Sequence, residues 1–170
     1  SGLEKGNDDI IELEKMIITL TTTENQKKAE NNENITTIDL KECETILKKE
    51  YNISNNEILF MKKVEVLEDG MKIPKVEYDV YFKLNRTNLI KLNLSYCSNT
   101  RIDIYVPAIL TENIDKHNSS SGYYNDLCYT DTSESGTDII LNDRKNEFID
   151  KNKTVCQEDC IFSEYNYNSL

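Results

Sequence analysis

This chain has no tryptophan, a single histidine (His117), two prolines, five glycines and no long apolar run. Each scarcity excludes something. Without tryptophan there is no stacking floor of the kind that usually lines a sugar-cleaving cleft, so the many paired carboxylates carry no glycosidase signal. The one histidine sits in a serine-rich stretch with no Gly-x-Ser-x-Gly elbow, so no base is placed to activate a serine or cysteine. A zinc site needs four ligands at finger-like spacing, and Cys128, Cys156, Cys160 and His117 are the only candidate set; cysteines this scattered read as disulfides, and no metal is expected. The five glycines form no phosphate-cradling loop. No stretch approaches the length that spans a bilayer, so a signal or membrane anchor is expected outside this chain. Positive charge is short too: 20 Lys and Arg against 31 Asp and Glu leave a net charge of −11, which disfavours nucleic acid and anionic membranes. These absences point away from an enzyme.

What is present points to an oxidising compartment. Five cysteines (Cys43, Cys97, Cys128, Cys156, Cys160) share the chain with six Asn-x-Ser/Thr sequons, at Asn34, Asn52, Asn85, Asn93, Asn118 and Asn152. The set reads as a disulfide framework in an exported, glycosylated chain. The pairing favoured here is Cys43 with Cys97, tying a helix to a strand end, and Cys128 with Cys156, closing an acidic loop. Cys160 is then left over, and the abrupt finish after Tyr165 and Tyr167 places its partner beyond Leu170.

Charge divides the chain in three. Residues 1–37 carry eight acids and four bases, residues 38–106 eleven of each, and residues 107–170 twelve acids and five bases. The neutral middle holds the clearest hydrophobic periodicity. Residues 39–51 read as an amphipathic helix, with Leu40, Cys43, Ile46, Leu47 and Tyr51 on one face and Thr37 or Asp39 as cap. Four strands follow at residues 58–67, 73–82, 89–96 and 101–107; an Asp-Gly pair joins the first two, and Val76, Tyr78, Val80 and Phe82 alternate with polar neighbours. The expected fold class is α+β: an antiparallel meander with one packed helix at 38–111, then a loop-rich, disulfide-stapled acidic module at 112–170. Ahead of them, residues 1–37 read as a helix from Asp8 turning to strand, followed by a polar linker over 21–37. In the last module a short helix is expected, capped by Asn142 or Asp143, with Phe148 and Ile149 inward.

Two weaker patterns remain. Asp131, Ser133, Ser135, Gly136 and Asp138 faintly echo a calcium loop, but Asn142 stands where a bidentate glutamate is needed, so no cofactor is expected. Ten tyrosines also stand out, and those at Tyr123, Tyr124 and Tyr129 are the candidate contact surface, since tyrosine is enriched where proteins meet.

The run over residues 119–129, with its Tyr-Tyr-Asn-Asp-x-Cys stretch, continues through residues 135–139 and 142–145 to Cys156 and Cys160. It resembles a poorly characterised cysteine-rich ectodomain segment of large surface or secretory-pathway membrane proteins of unicellular eukaryotes. The likeness covers residues 38–170. It implies a place at the cell surface or in the secretory lumen, and no activity. The expectation is a non-enzymatic protist ectodomain module acting through protein contacts, in assembly or adhesion, as a homo-oligomer or filament. The alternative is a receptor ectodomain for a small molecule or glycan.

Overall fold

The computed structural model describes residues 3, 6–30, 32, 34–69, 73–85, 87–107, 114–117, 121–132, 135–149 and 160–161. The fold is α+β, and the chain divides into two compact units, Ser1–Ala108 and Ile109–Leu170.

The first unit opens with a hairpin, β1 (Asp9–Leu13) and β2 (Met16–Thr22). The helix expected from Asp8 does not form. Ile10, Ile11, Ile17, Ile18, Thr19, Thr21 and Thr22 are β-branched and favour extended backbone, and residues 14–15 supply a two-residue turn. Nor are residues 21–37 a linker. Thr22 caps α1 (Thr23–Ala29) by accepting from the Asn25 N–H at 3.1 Å, and β3 (Thr37–Asp39) follows. Polar composition misled here because Thr23, Gln26, Thr36 and Thr37 are buried, with Thr23 and Gln26 making side-chain hydrogen bonds. The Gln26 side chain accepts from the Ile38 N–H at 3.1 Å and donates to Thr21 Oγ1 at 3.3 Å, stitching α1 to both β3 and the sheet.

Helix α2 (Glu42–Glu50) starts later than its periodicity predicts. Lys41 sits before it at φ 50°, a left-handed turn that no residue extends into helix, and the expected cap Asp39 instead accepts from the Lys41 N–H. Asn52 ends it at φ 53°, where asparagine is at home. Strands β4 (Leu59–Val66), β5 (Lys75–Lys83) and β6 (Leu89–Lys91) complete a fully antiparallel sheet in the order β1-β2-β4-β5-β6. Of the Asp-Gly pair between β4 and β5, Gly70 lies outside the described residues.

The fourth expected strand does not join this sheet. After β6, Asn93 accepts from the Ser95 N–H and starts a 3₁₀ turn, Leu94–Cys97. Cys97 is bonded there to Cys43 of α2, with Cα atoms 5.2 Å apart. The bridge takes the chain off the sheet, and β7 (Asp103–Tyr105) pairs with β3 as a separate two-stranded sheet. The core lies between α2 and one sheet face: Leu40, Cys43 and Leu47 meet Leu59, Met61, Val76, Val80 and Leu92, all buried.

In the second unit a 3₁₀ turn (Ile114–His117), α3 (Gly122–Asn125) and α4 (Leu141–Ile149) are joined by an isolated bridge, Thr132 to Asp138. The side chains of Phe148 and Ile149, expected inward, lie outside the described residues. Among the described residues no helix is long and apolar enough to cross a membrane.

Candidate contact face

The candidate surface of Tyr123, Tyr124 and Tyr129 turns out to be interior. Tyr123 and Tyr124 are buried and Tyr129 half-buried. Their rings meet edge to face, with centroids 4.8 Å (Tyr123 to Tyr124) and 5.7 Å (Tyr123 to Tyr129) apart. Arg144, only 1% exposed, lies 5.6 Å from the Tyr123 centroid and 5.5 Å from that of Tyr129. The Tyr124 hydroxyl donates to the Lys116 carbonyl at 2.7 Å and the Tyr129 hydroxyl to Asp115 Oδ2 at 2.8 Å. A unit with few aliphatic residues uses its tyrosines as core, which leaves none of these three to form a contact patch.

Of the cysteines, Cys43 and Cys97 form the bridge expected of them. Cys128 does not: it is an exposed free thiol in the turn after α3, directed to solvent. Its expected partner Cys156 lies outside the described residues, and Cys160 is exposed. The described sequon asparagines, Asn34, Asn52, Asn85 and Asn93, are all exposed, while Asn118 and Asn152 lie outside. Among the described residues no group of three or more His, Cys, Asp or Glu is arranged to hold a metal ion. The calcium-like loop includes undescribed residues, Ser133 among them.

An open depression of about 420 Å³ is lined by Asp79, Lys91, Leu92, Asn93 and Leu94. Its two charges face each other, Lys91 Nζ lying 2.6 Å from Asp79 Oδ1, and this hydrogen bond holds the Lys91 amine above its usual range. They therefore neutralise one another and do not converge on a ligand.

The distinctive surface of the first unit is elsewhere, on the sheet beside β1. Every residue of β1 is exposed, with Ile10 at 56%, Ile11 at 54% and Leu13 at 53%. The register extends this edge into a strip: Leu13 opposes Met16, Ile11 opposes Ile18, Ile18 opposes Val64 and Met16 opposes Val66. Paired residues share a face, so Ile11, Leu13, Met16, Ile18, Leu20, Val64 and Val66 lie together on the side of the sheet away from α2. Charge borders the strip. Lys62 and Glu77 follow on the same face, and Lys15 bonds Asp69 at 2.7 Å at the hairpin tip. An apolar patch rimmed by charge is the usual mark of a contact site.

The edge itself is also open. Leu13 and Met16 are direct partners across the two-residue turn, so they exchange the hydrogen bonds that close the hairpin. Alternation along the ladder then turns the backbone N–H and C=O of Asp9, Ile11 and Leu13 toward β2, and those of Ile10 and Glu12 toward the free edge. The sequence reading missed this site. The signal was available: two isoleucine-rich runs of alternating pattern separated by Glu14 and Lys15, which is hairpin spacing.

No protein family matches the chain, and neither a curated protein nor a solved structure does.

Proposed function

We propose that the chain is a non-enzymatic, disulfide-bonded domain of the cell surface, extracellular space or secretory lumen, working through protein contacts in assembly or adhesion. The observation that carries this reading is the charge-rimmed apolar strip over β1, β2 and β4, because such surface is costly to leave in water. The buried Cys43–Cys97 bridge supports an oxidising compartment, since such bonds rarely persist where glutathione keeps thiols reduced. Exposed asparagines at the described sequons are compatible with glycosylation there. The ligand-binding alternative draws less support, because the depression at Asp79 and Lys91 is open and internally neutralised.

A photo-crosslinking residue placed at Leu20, on the strip, and another at exposed Lys49 on α2 test the reading. In the fraction of secreted and surface proteins, adducts are expected at position 20 and few at 49. Equal yields at both positions, or Cys43 and Cys97 recovered as thiols by non-reducing peptide mapping, would remove its basis.

A further inference from the structure

The sheet's other edge, β6, runs into a sequon, and the open depression lies between the two. We propose that Asn93 carries an N-linked oligosaccharide whose first sugars lie in the depression walled by Asp79, Lys91, Leu92, Asn93 and Leu94, closing the free edge of β6. This rests on reading the chain as a secretory-lumen or surface domain, and it singles out one of the six sequons as a built site.

The backbone holds Asn93 ready. Leu84 donates its N–H to the Asn88 carbonyl at 3.0 Å and Leu92 to the Val80 carbonyl at 2.8 Å, so Asn88, Ile90 and Leu92 are the positions bonded to β5. Leu89 and Lys91 therefore turn their backbone groups to the free edge. The next outward N–H, that of Asn93, is taken by the Tyr51 hydroxyl at 2.9 Å. Asn93 Oδ1 in turn accepts from the Ser95 N–H at 3.0 Å. Main chain and side-chain carbonyl are both fixed, and among the described residues nothing accepts from Asn93 Nδ2. Ser95, the third residue of the sequon, is exposed.

The donor is a lipid-linked oligosaccharyl diphosphate, supplied with its transferase by the secretory lumen. Asn93 Nδ2 bonds to the anomeric carbon, the bond from that carbon to the diphosphate oxygen breaks with its electron pair leaving on the diphosphate, and Nδ2 gives up one proton. Sugar rings are uncharged and present both hydroxyls and C–H faces. The depression offers the matching mixture: Asp79 and Lys91 neutralise each other at 2.6 Å and keep further hydrogen-bonding capacity, while Leu92 and Leu94 supply apolar wall. A free sugar would hold poorly in so open a site, but a tethered one is present at an effective concentration on the order of millimolar. None of the other sequon asparagines lines the depression. Seated there, the sugars stand between the outward groups of Lys91 and any added strand, protecting an edge whose Leu89 is 58% exposed.

The test takes the full chain from the cells that make it. Enzymatic release of N-glycans in heavy-oxygen water, followed by non-reducing peptide mapping, is expected to convert Asn93 to a heavy aspartate and to find Cys43 and Cys97 joined. An unlabelled Asn93 beside an intact bridge overturns the proposal and leaves the compartment reading standing. An unlabelled Asn93 with both cysteines as thiols overturns both. The seat has its own readout, because Ser95→Ala ends the sequon yet keeps the N–H that ties Asn93. Amine-reactive footprinting of Lys91 in the folded chain should rise severalfold in Ser95→Ala, with exposed Lys49 on α2 unchanged. Ser95→Thr keeps the sequon and should keep Lys91 protected. Equal labelling of Lys91 with and without the glycan, an equal rise at Lys49, or a rise in Ser95→Thr as well overturns the seat.

Discussion

In the unit Ser1–Ala108 the hydrophobic core is aliphatic and a covalent bridge crosses it, while threonines, Gln26, Lys48 and Lys63 are buried besides. In Ile109–Leu170 the buried side chains among the described residues are Ser121, Tyr123, Tyr124 and Arg144, held by ring edges, hydroxyl bonds and a guanidinium. The difference lies in tolerance. An aliphatic core has no donors to satisfy, so it loses stability in proportion to area and volume removed. A core of tyrosine and arginine must satisfy directional groups, and the Nε and Nη1 of Arg144 have no hydrogen-bond partner, the ring faces of Tyr123 and Tyr129 standing beside them. One unit is fixed by burial and a covalent tie, the other by geometry.

The sharpest way to break that contrast is to remove the tie. Cys43→Ala with Cys97→Ala opens a loop spanning a sequence separation of 54. Urea unfolding should show a loss of about 4 kcal/mol, by the chain-entropy relation. A loss under about 1 kcal/mol would mean the aliphatic core stands alone and the bridge only guards it.

Arg144 gives the matching test in the second unit. Arg144→Ala bares two ring faces and strands the Asp126 carbonyl, which Nη2 reaches at 2.9 Å. The expected cost is about 2–3 kcal/mol. Arg144→Met keeps the volume and the ring contact without an unpaired buried charge, and should cost less than about 1 kcal/mol. Tyrosine fluorescence during thermal unfolding reads both, since the chain has no tryptophan. Equal losses would show that charge, and not packing against the rings, holds this core.

How much of this was legible follows from the same contrast. The amphipathic pattern of residues 39–51 and the alternation in β5 are local, so α2, β4 and β5 could be read from spacing, whereas Cys43–Cys97 was one favoured pairing among fifteen until the structure brought the two together. The polar stretch at 21–37 could not. Its residues are buried by long-range pairing of Gln26 with Ile38 and Thr21, a relation that no composition window contains. The candidate site failed for a related reason. Tyr123 and Tyr124 look like surface residues by type, and only the scarcity of aliphatic neighbours around them marks them as core. The contact strip was hidden because seven apolar residues in one short segment read equally as helix or strand until the two-residue turn is recognised.

Lys63 carries the polar logic of the second unit into the first. It is buried on the sheet face toward Thr36, donates to the Thr36 carbonyl, and has Glu65 at 3.5 Å as its charge partner. Burial holds its amine below the usual 10.5 despite Glu65. The folded chain therefore releases this proton at lower pH than the unfolded chain, and its contribution makes stability rise with pH between the lowered value and 10.5. Glu65→Gln removes the nearer of the two carboxylates that act on the ammonium, leaving Asp8, and should cost about 1–2 kcal/mol at pH 7, while Lys63→Met should cost less. Urea titrations at pH 7 and pH 9 check both; the Glu65→Gln deficit should shrink at the higher pH. A Lys63→Met loss exceeding that of Glu65→Gln would mark the ammonium as a net stabiliser.

The smallest expected effect separates partly buried from exposed charge within the same pair of helices. Glu44 accepts from Thr23 Oγ1 at 3.1 Å, from Lys27 at 2.6 Å and from Lys48 at 2.9 Å, so it links α1 to α2. Burial raises its pKa, but the bonds from Lys27 and Lys48 outweigh that and leave it below 4.5. A carboxylate lowered on folding gives its full stabilisation above 4.5 and loses it as pH falls through the folded value. Glu44→Gln should therefore cost about 1 kcal/mol at pH 7 and progressively less on acidification, flattening the acid limb of the stability curve. Glu24 bonds Lys28 at 2.8 Å with both side chains in solvent. Glu24→Gln should leave unfolding at pH 7 unchanged, because water and salt already screen that pair. If both substitutions act alike, Glu44 adds nothing by linking α1 to α2, and α1 is held by the bonds of Gln26 to β3 and the sheet.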